Sequence, residues 1–237
     1  EECVVANNGV IYVLNNVFGP DEFEAVSAPP LYMKNMAIMK QLIDKLGYGP
    51  YLLAMDATYT LLVPDDEYFV YYDPVSIETG APTAYKFYYD NKSGVMEHDT
   101  VPAVKLWAKR YLYNPQTFEL GDTLENYAIE GRSVNTKYNE YTAATNFKWD
   151  TESSASPENF LSNRLKDLME YLIIIGDVET SPNKYHSSKG YGTIKCEVNN
   201  TNTDNLDVKF YGGLNLEKGT AVKVSERYDQ ENGITYC

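Results

Sequence analysis

One short segment occurs at both ends of this chain and limits what it can fold into. The stretch NNGVIYVLNN near the start resembles ENGITYC at the end, with Gly9 and Gly233 in equivalent positions 224 residues apart. Each copy is typical of a strand that starts at a glycine, and Asn7-Asn8-Gly9 predicts a turn between two strands. Because repeats mark modular chains, we expect the chain to begin in the last strand of one module and to end near the last strand of the next.

A second constraint is the acidic corner ATYTLLVPDDEYF, residues 57–69. TYTLLV predicts a short buried strand that ends at Pro64, and Asp65 is predicted to cap the short helix that follows. Leu62 and Phe69 should face the core. A catalytic carboxylate pair would need another acid about 5–9 Å away across a cleft, and a calcium loop would need alternating oxygen ligands and a closing Glu. Neither pattern is present, so we interpret the corner as structural.

Three segments have the apolar spacing of helices. They are residues 31–47, residues 100–112 and the segment from Pro157, whose stripe is Leu161, Leu165, Leu168 and Leu172. The last runs directly into the buried strand IIIGDV. From residue 189 onward, short strands alternate with Gly, Asn and Asp. Runs of helix followed by runs of strand favour an α+β fold over a parallel α/β sheet.

Composition argues against several function classes. The formal net charge of −14, with no basic patch, disfavours a nucleic-acid partner. No apolar run reaches membrane-spanning length, so we expect no membrane insertion by this segment. Two distant histidines and three cysteines lack metal-ligand spacing. With no nucleophile elbow and no phosphate loop either, we expect no catalytic residue, metal or cofactor, and a non-enzymatic role.

These pieces together resemble a fasciclin domain. The family's first motif, T-x-F-x-P-T-x-x-A-F, is matched by Thr60, Leu62, Pro64, Asp65 and Phe69. Its second, N-G-V-I-H-V-I-D, is matched by NGVIYV and, at the end of the chain, by Asn232, Gly233 and Tyr236. The stretch LKDLMEYLIIIGDV is similar to a third family strand, L-x-Y-H-x-V-x-G, through Tyr171, Ile174 and Gly176. Tyrosine replaces the usual histidine of the second motif.

The resemblance implies a wedge of β-strands with helices packed around it, in which both motif strands belong. Residues 1–19 would be the C-terminal strand segment of a preceding repeat, and residues 20–237 one domain with a large insertion at about 70–159. The resemblance to fasciclin domains also implies a secreted or cell-surface adhesion module, for instance a lipoprotein anchored to a bacterial outer membrane. The partners would be a tandem neighbouring repeat and an extracellular protein or polysaccharide.

The insertion carries the best candidates for ligand contact, because aromatic rings in a polar setting suit sugar rings and protein hot spots. These candidates are Tyr71, Tyr72, Tyr85, Tyr88, Tyr89, Tyr138, Tyr141 and Trp149. The other interpretation is that the rings cover a small core of the insertion itself. Two further functions stay open: a carbohydrate-binding component of a bacterial glycan-uptake system, and a glycan-cleaving enzyme that uses paired acids.

Overall fold

The predicted α+β class is confirmed by helices and several sheets in one chain. The computed structural model describes residues 2–6, 9–13, 23–89, 106–130, 141–142, 157–213 and 221–237. The helices in these ranges are α1 Ala28–Tyr32, α2 Ala37–Leu46, α3 Gly49–Leu52, α4 Pro74–Glu78 and α5 Pro157–Leu172. The strands are β1 Glu2–Ala6, β2 Gly9–Val13, β3 Tyr59–Leu62, β4 Val70–Tyr72, β5 Thr83–Tyr89, β6 Leu106–Tyr113, β7 Leu120–Glu130, β8 Tyr141–Thr142, β9 Ile173–Ile175, β10 Tyr185–Ser187, β11 Thr193–Asn200, β12 Asp207–Gly212, β13 Val222–Lys223, β14 Arg227–Gln230 and β15 Gly233–Tyr236.

The two motif strands are direct neighbours in a four-stranded sheet of order β14-β15-β3-β9. β15 runs parallel to β3, with Gly233 opposite Tyr59 and Tyr236 opposite Leu62. β14 and β9 pair antiparallel at the two sides. The sequence prediction that the proline-stopped strand and the glycine-started strand share one structural unit is therefore confirmed.

Three further sheets complete the described structure. β1 and β2 pair antiparallel as a two-stranded hairpin, and Asn7 and Asn8 of the predicted turn lie outside the described residues. A five-stranded sheet has the order β4-β5-β6-β7-β8 and is built from the predicted insertion. A four-stranded sheet, β10-β11-β12-β13, comes from the β-rich C-terminal region.

Buried side chains form two clusters on either side of β3. The larger joins α2, α5 and one face of the five-stranded sheet, and includes Met39, Leu61, Phe69 and Phe87. The smaller joins β9, β11, β12 and β15, and includes Ile234 and Tyr236. Leu62 is only half-buried but contacts both clusters. The insertion therefore contributes to the main core.

Two helix predictions need correction. Residues 106–113 form β6 and not the end of a helix: Leu106 and Ala108 are buried while Trp107 and Lys109 are half-exposed, which is the two-residue period of a strand. The segment predicted as one helix over residues 31–47 is divided into α1, a short 3₁₀ turn and α2, which ends at Gly47 with φ 72° as predicted for a C-cap. The leucine helix matches its prediction, and α5 runs directly into β9.

The acidic corner is structural, but its carboxylates act elsewhere than predicted. Asp65 makes no side-chain hydrogen bond to the 3₁₀ turn that follows it, and instead accepts one from the Asn35 amide at 2.6 Å. Asp66 accepts hydrogen bonds from the backbone N–H groups of Ala37 at 3.1 Å and Ile38 at 2.8 Å. It therefore caps the first turn of α2 across a tertiary contact, satisfying donors that have no partner inside the helix. Burial raises the pKa of Asp66, against the lowering effect of these two N–H groups.

Asp66→Ala should therefore destabilise the protein, while Asp65→Ala should have a smaller effect. Loss of a capping carboxylate costs about 1–2 kcal/mol of unfolding free energy. The stability of Asp66→Asn, which keeps one acceptor oxygen, should lie between those of the wild type and Asp66→Ala. Urea denaturation followed by circular dichroism measures this, with the exposed Glu67→Ala as control. Equal stabilities of the Asp66→Ala and Glu67→Ala variants would show that the cap contributes nothing.

Candidate functional site: the outer face of the five-stranded sheet

The five-stranded sheet has one face on the core and one face turned away from it. On β5 and β6, the side chains of Tyr85, Phe87, Leu106 and Ala108 are buried in the larger cluster. Because side chains alternate along a strand, the residues between them point to the opposite side. These outer residues are half-exposed and form what we call the aromatic–lysine face: Lys86, Tyr88, Trp107, Lys109 and Tyr111.

The centre of this face is an aromatic pair on neighbouring strands. Tyr88 lies directly opposite Trp107, and their rings are stacked with centroids 4.4 Å apart and planes 15° apart. The hydroxyl oxygens of Tyr88 and Tyr111 lie 2.8 Å apart and share a hydrogen bond. Burial, followed by this bond, raises the pKa of Tyr88. The aromatic side chains at the centre of the face are therefore held in place by contacts with each other.

Two lysines border the aromatic pair. Lys86 and Lys109 are direct cross-strand partners, and like charges in that position repel each other. The Lys109 ammonium lies 5.2 Å from the Trp107 ring centroid, and the Lys86 ammonium lies 5.7 Å from that of Tyr88, within the range of cation–π attraction. No carboxylate of the described residues forms an ion pair with either lysine. An anionic group placed between them would relieve the repulsion.

The structure divides the aromatic residues that the sequence singled out. Tyr85 is buried, and Tyr71 and Tyr89 pack against the larger cluster. Tyr72 belongs to a small cluster at the β6–β7 turn, with ring centroids 4.9 Å from Tyr113 and 5.0 Å from Phe118. Of the predicted set, only Tyr88 has a described side chain on the aromatic–lysine face.

Three of the predicted residues have no described side chain. Tyr138 and Trp149 lie outside the described residues, and the side chain of Tyr141 in β8 is also outside them. Sequence reasoning did not select Trp107, Tyr111 or the two lysines, because it assigned their segment to a helix. The alternation in LWAKRYLY, with apolar residues at 106 and 108 and aromatic or cationic residues between them, could have identified the face.

Comparison of the chain with protein-family models, with curated proteins and with solved structures gave no match. The site therefore has to be interpreted from its own chemistry. Across the described ranges, no three His, Cys, Asp or Glu side chains are placed to hold a metal ion. No helix in the described part of the chain is long and apolar enough to cross a membrane.

The motif residues in β3 and β15 hold the backbone together. Thr60 is fully buried; its hydroxyl donates to the Gly176 carbonyl at 2.9 Å and accepts from the Val178 N–H at 3.2 Å. The Tyr236 hydroxyl donates to Glu179, whose carboxylate also binds Arg227 through two guanidinium nitrogens at 2.6 and 3.0 Å. Each of these polar groups is satisfied within the protein, which is the expected pattern for a structural role.

Proposed function

We propose that this chain is a non-enzymatic, extracellular or surface-attached adhesion module of the fasciclin type, which binds an acidic polysaccharide through the aromatic–lysine face. The stacked pair of Tyr88 and Trp107 beside the cross-strand pair of Lys86 and Lys109 is the observation that carries the ligand assignment; neither lysine forms an ion pair with a described carboxylate. Attachment through a lipid anchor to a bacterial outer membrane and a tandem neighbouring repeat are parts of the same proposal.

The fasciclin assignment is supported by where the motifs lie. Their strands, β3 and β15, are adjacent and parallel. The third family-like segment supplies β9 on the other side of β3. Motifs far apart in sequence thus form one continuous sheet, which chance matches to short patterns would have no reason to do.

The ligand class follows from two features of the face. The stacked Tyr88 and Trp107 rings are a rigid apolar anchor that loses little conformational entropy on binding, and sugar rings pack against aromatic side chains of this kind. Lysine ammonium groups beside them attract the carboxylates of uronic acids. The net charge of −14 opposes a polyanion at long range, but screening limits that repulsion to about 8 Å at physiological ionic strength. Contacts at the face then decide the affinity.

Binding of polygalacturonate, measured by calorimetry on the whole chain, tests the proposal. Trp107→Ala should weaken binding about tenfold or more, equivalent to ~1.4 kcal/mol. Lys86→Gln with Lys109→Gln should weaken it while leaving binding of a neutral glucan unchanged. Tyr185→Ala is the matched control, because that tyrosine is 64% exposed on the β10-β11-β12-β13 sheet.

Three other results would each contradict a specific part of the proposal. Equal affinity for acidic and neutral polysaccharides would contradict the role of the lysines. If the chain bound no polysaccharide but bound an acidic protein in a way that depends on Trp107, the ligand would be a protein and not a polysaccharide. Reproducible cleavage of the polysaccharide would overturn the non-enzymatic assignment.

A further inference from the structure

The two ends of the chain form the same hairpin in the same register. In the C-terminal hairpin, Gln230 pairs with Gly233 and Arg227 with Tyr236. In the N-terminal hairpin, Ala6 pairs with Gly9 and Cys3 with Tyr12. Each residue of the C-terminal hairpin lies 224 positions after its equivalent in the N-terminal hairpin. The sequence repeat is therefore also a repeat of backbone pairing.

In the C-terminal hairpin, the edge of β15 that faces away from β14 pairs with a third strand. β15 pairs with β14 on one side and, on the other, runs parallel to β3 from Gly233 to Tyr236. The two backbones approach each other closely at Gly233, where a Cβ atom would lie 1.9 Å from the Tyr59 carbonyl oxygen. A glycine opening the strand is thus what lets the β3 backbone pass alongside.

The equivalent edge of β2 has no such neighbour among the described strands, since β1 and β2 form a sheet of their own. Open strand edges carry unpaired N–H and C=O groups and tend to acquire another strand. We propose that the edge of β2 facing away from β1, which pairs with no other described strand, pairs in parallel with a β3-like strand of another module, so that the N-terminal hairpin closes the sheet of that module. This inference rests on the modular arrangement in the proposed function and is independent of the polysaccharide.

The occupant of this edge is not a second copy of the same chain. In a second copy, β3 already has β15 on one side and β9 on the other, so neither of its edges is open. The hairpin needs a module that contains a β3-like strand and lacks a closing hairpin of its own. The proposal places this module before residue 1 on the same polypeptide, where covalent linkage would give it a high effective concentration.

Amide hydrogen exchange on two polypeptides tests this: the 237-residue chain and the gene product in its full length. In the full-length protein, the amides of residues 9–13 that do not bond to β1 should exchange at least about 100-fold more slowly than in the 237-residue chain, because a second ladder protects them. Amides of β15 should exchange at the same rate in both.

A glycine substitution separates edge pairing from general stabilisation. Gly9→Ala should abolish the extra protection in the full-length protein and leave the melting temperature of the 237-residue chain unchanged, whereas Gly233→Ala should destabilise both. Equal exchange of residues 9–13 in the two polypeptides, or a gene product with no β3-like strand before this hairpin, would overturn the inference. Neither outcome would affect polysaccharide binding, which is measured separately.

Discussion

Gly233→Ala is expected to lower the free energy of unfolding by about 3 kcal/mol or more, since it combines two penalties. Gly233 has φ 141°, a conformation that residues with a side chain rarely adopt. The new Cβ would also meet backbone atoms of Tyr59, with its carbonyl oxygen at 1.9 Å, and neither strand can withdraw without breaking the β3–β15 ladder. Urea denaturation measures the loss.

Gly80→Ala is the matched control for this substitution. Gly80 also has a positive φ of 77°, but a Cβ there would meet nothing within 4 Å. Gly80→Ala should therefore lower the free energy of unfolding only by the cost of placing a residue with a side chain at positive φ, about 1–2 kcal/mol. If the two variants lose the same stability, the close approach of β3 contributes nothing and the parallel pairing is misplaced.

Asn232→Ala should cost about 4 kcal/mol, because one buried amide holds three segments together. Its oxygen accepts from the Val26 N–H at 2.8 Å, and its nitrogen donates to the carbonyls of Leu52 at 2.7 Å and Ala54 at 3.3 Å. Truncation leaves these buried groups unpaired, at about 1–3 kcal/mol each where no water replaces the amide. Thermal and urea unfolding both report the change.

Asn205→Ala serves as the comparison for this variant. Asn205 is exposed in a short 3₁₀ turn, so its substitution should stay within about 0.5 kcal/mol of wild type. A loss below about 1 kcal/mol for Asn232→Ala would indicate that water substitutes for the amide, and the segment would then not depend on this residue.

The parts of the fold that follow from the sequence are those governed by local chemistry. The leucine period predicts α5, Gly47 predicts the end of α2, and Asn-Gly predicts the start of β15. The pairing of β3 with β15 was predicted only through the family resemblance, since these strands lie more than 170 residues apart. No local pattern encodes that contact.

The misses have a common cause, which is that tertiary partners override local preference. Asp65 fits a local cap, yet Asp66 caps α2 from a distance because the folded chain brings that helix's free N–H groups to it. In the same way, residues 106–113 carry apolar spacing compatible with a helix but form a central strand between β5 and β7. That misassignment concealed the aromatic–lysine face, since strand alternation is what collects its residues on one side.

The most direct test of the account is the indole N–H resonance of Trp107 in a ¹⁵N-labelled chain, with Trp149→Phe used to assign it. Addition of polygalacturonate should shift the Trp107 resonance progressively, and the same shift should be absent in the Lys86→Gln, Lys109→Gln double variant. Polysaccharide binding that leaves the Trp107 resonance unmoved would contradict the assignment of this face as the contact surface.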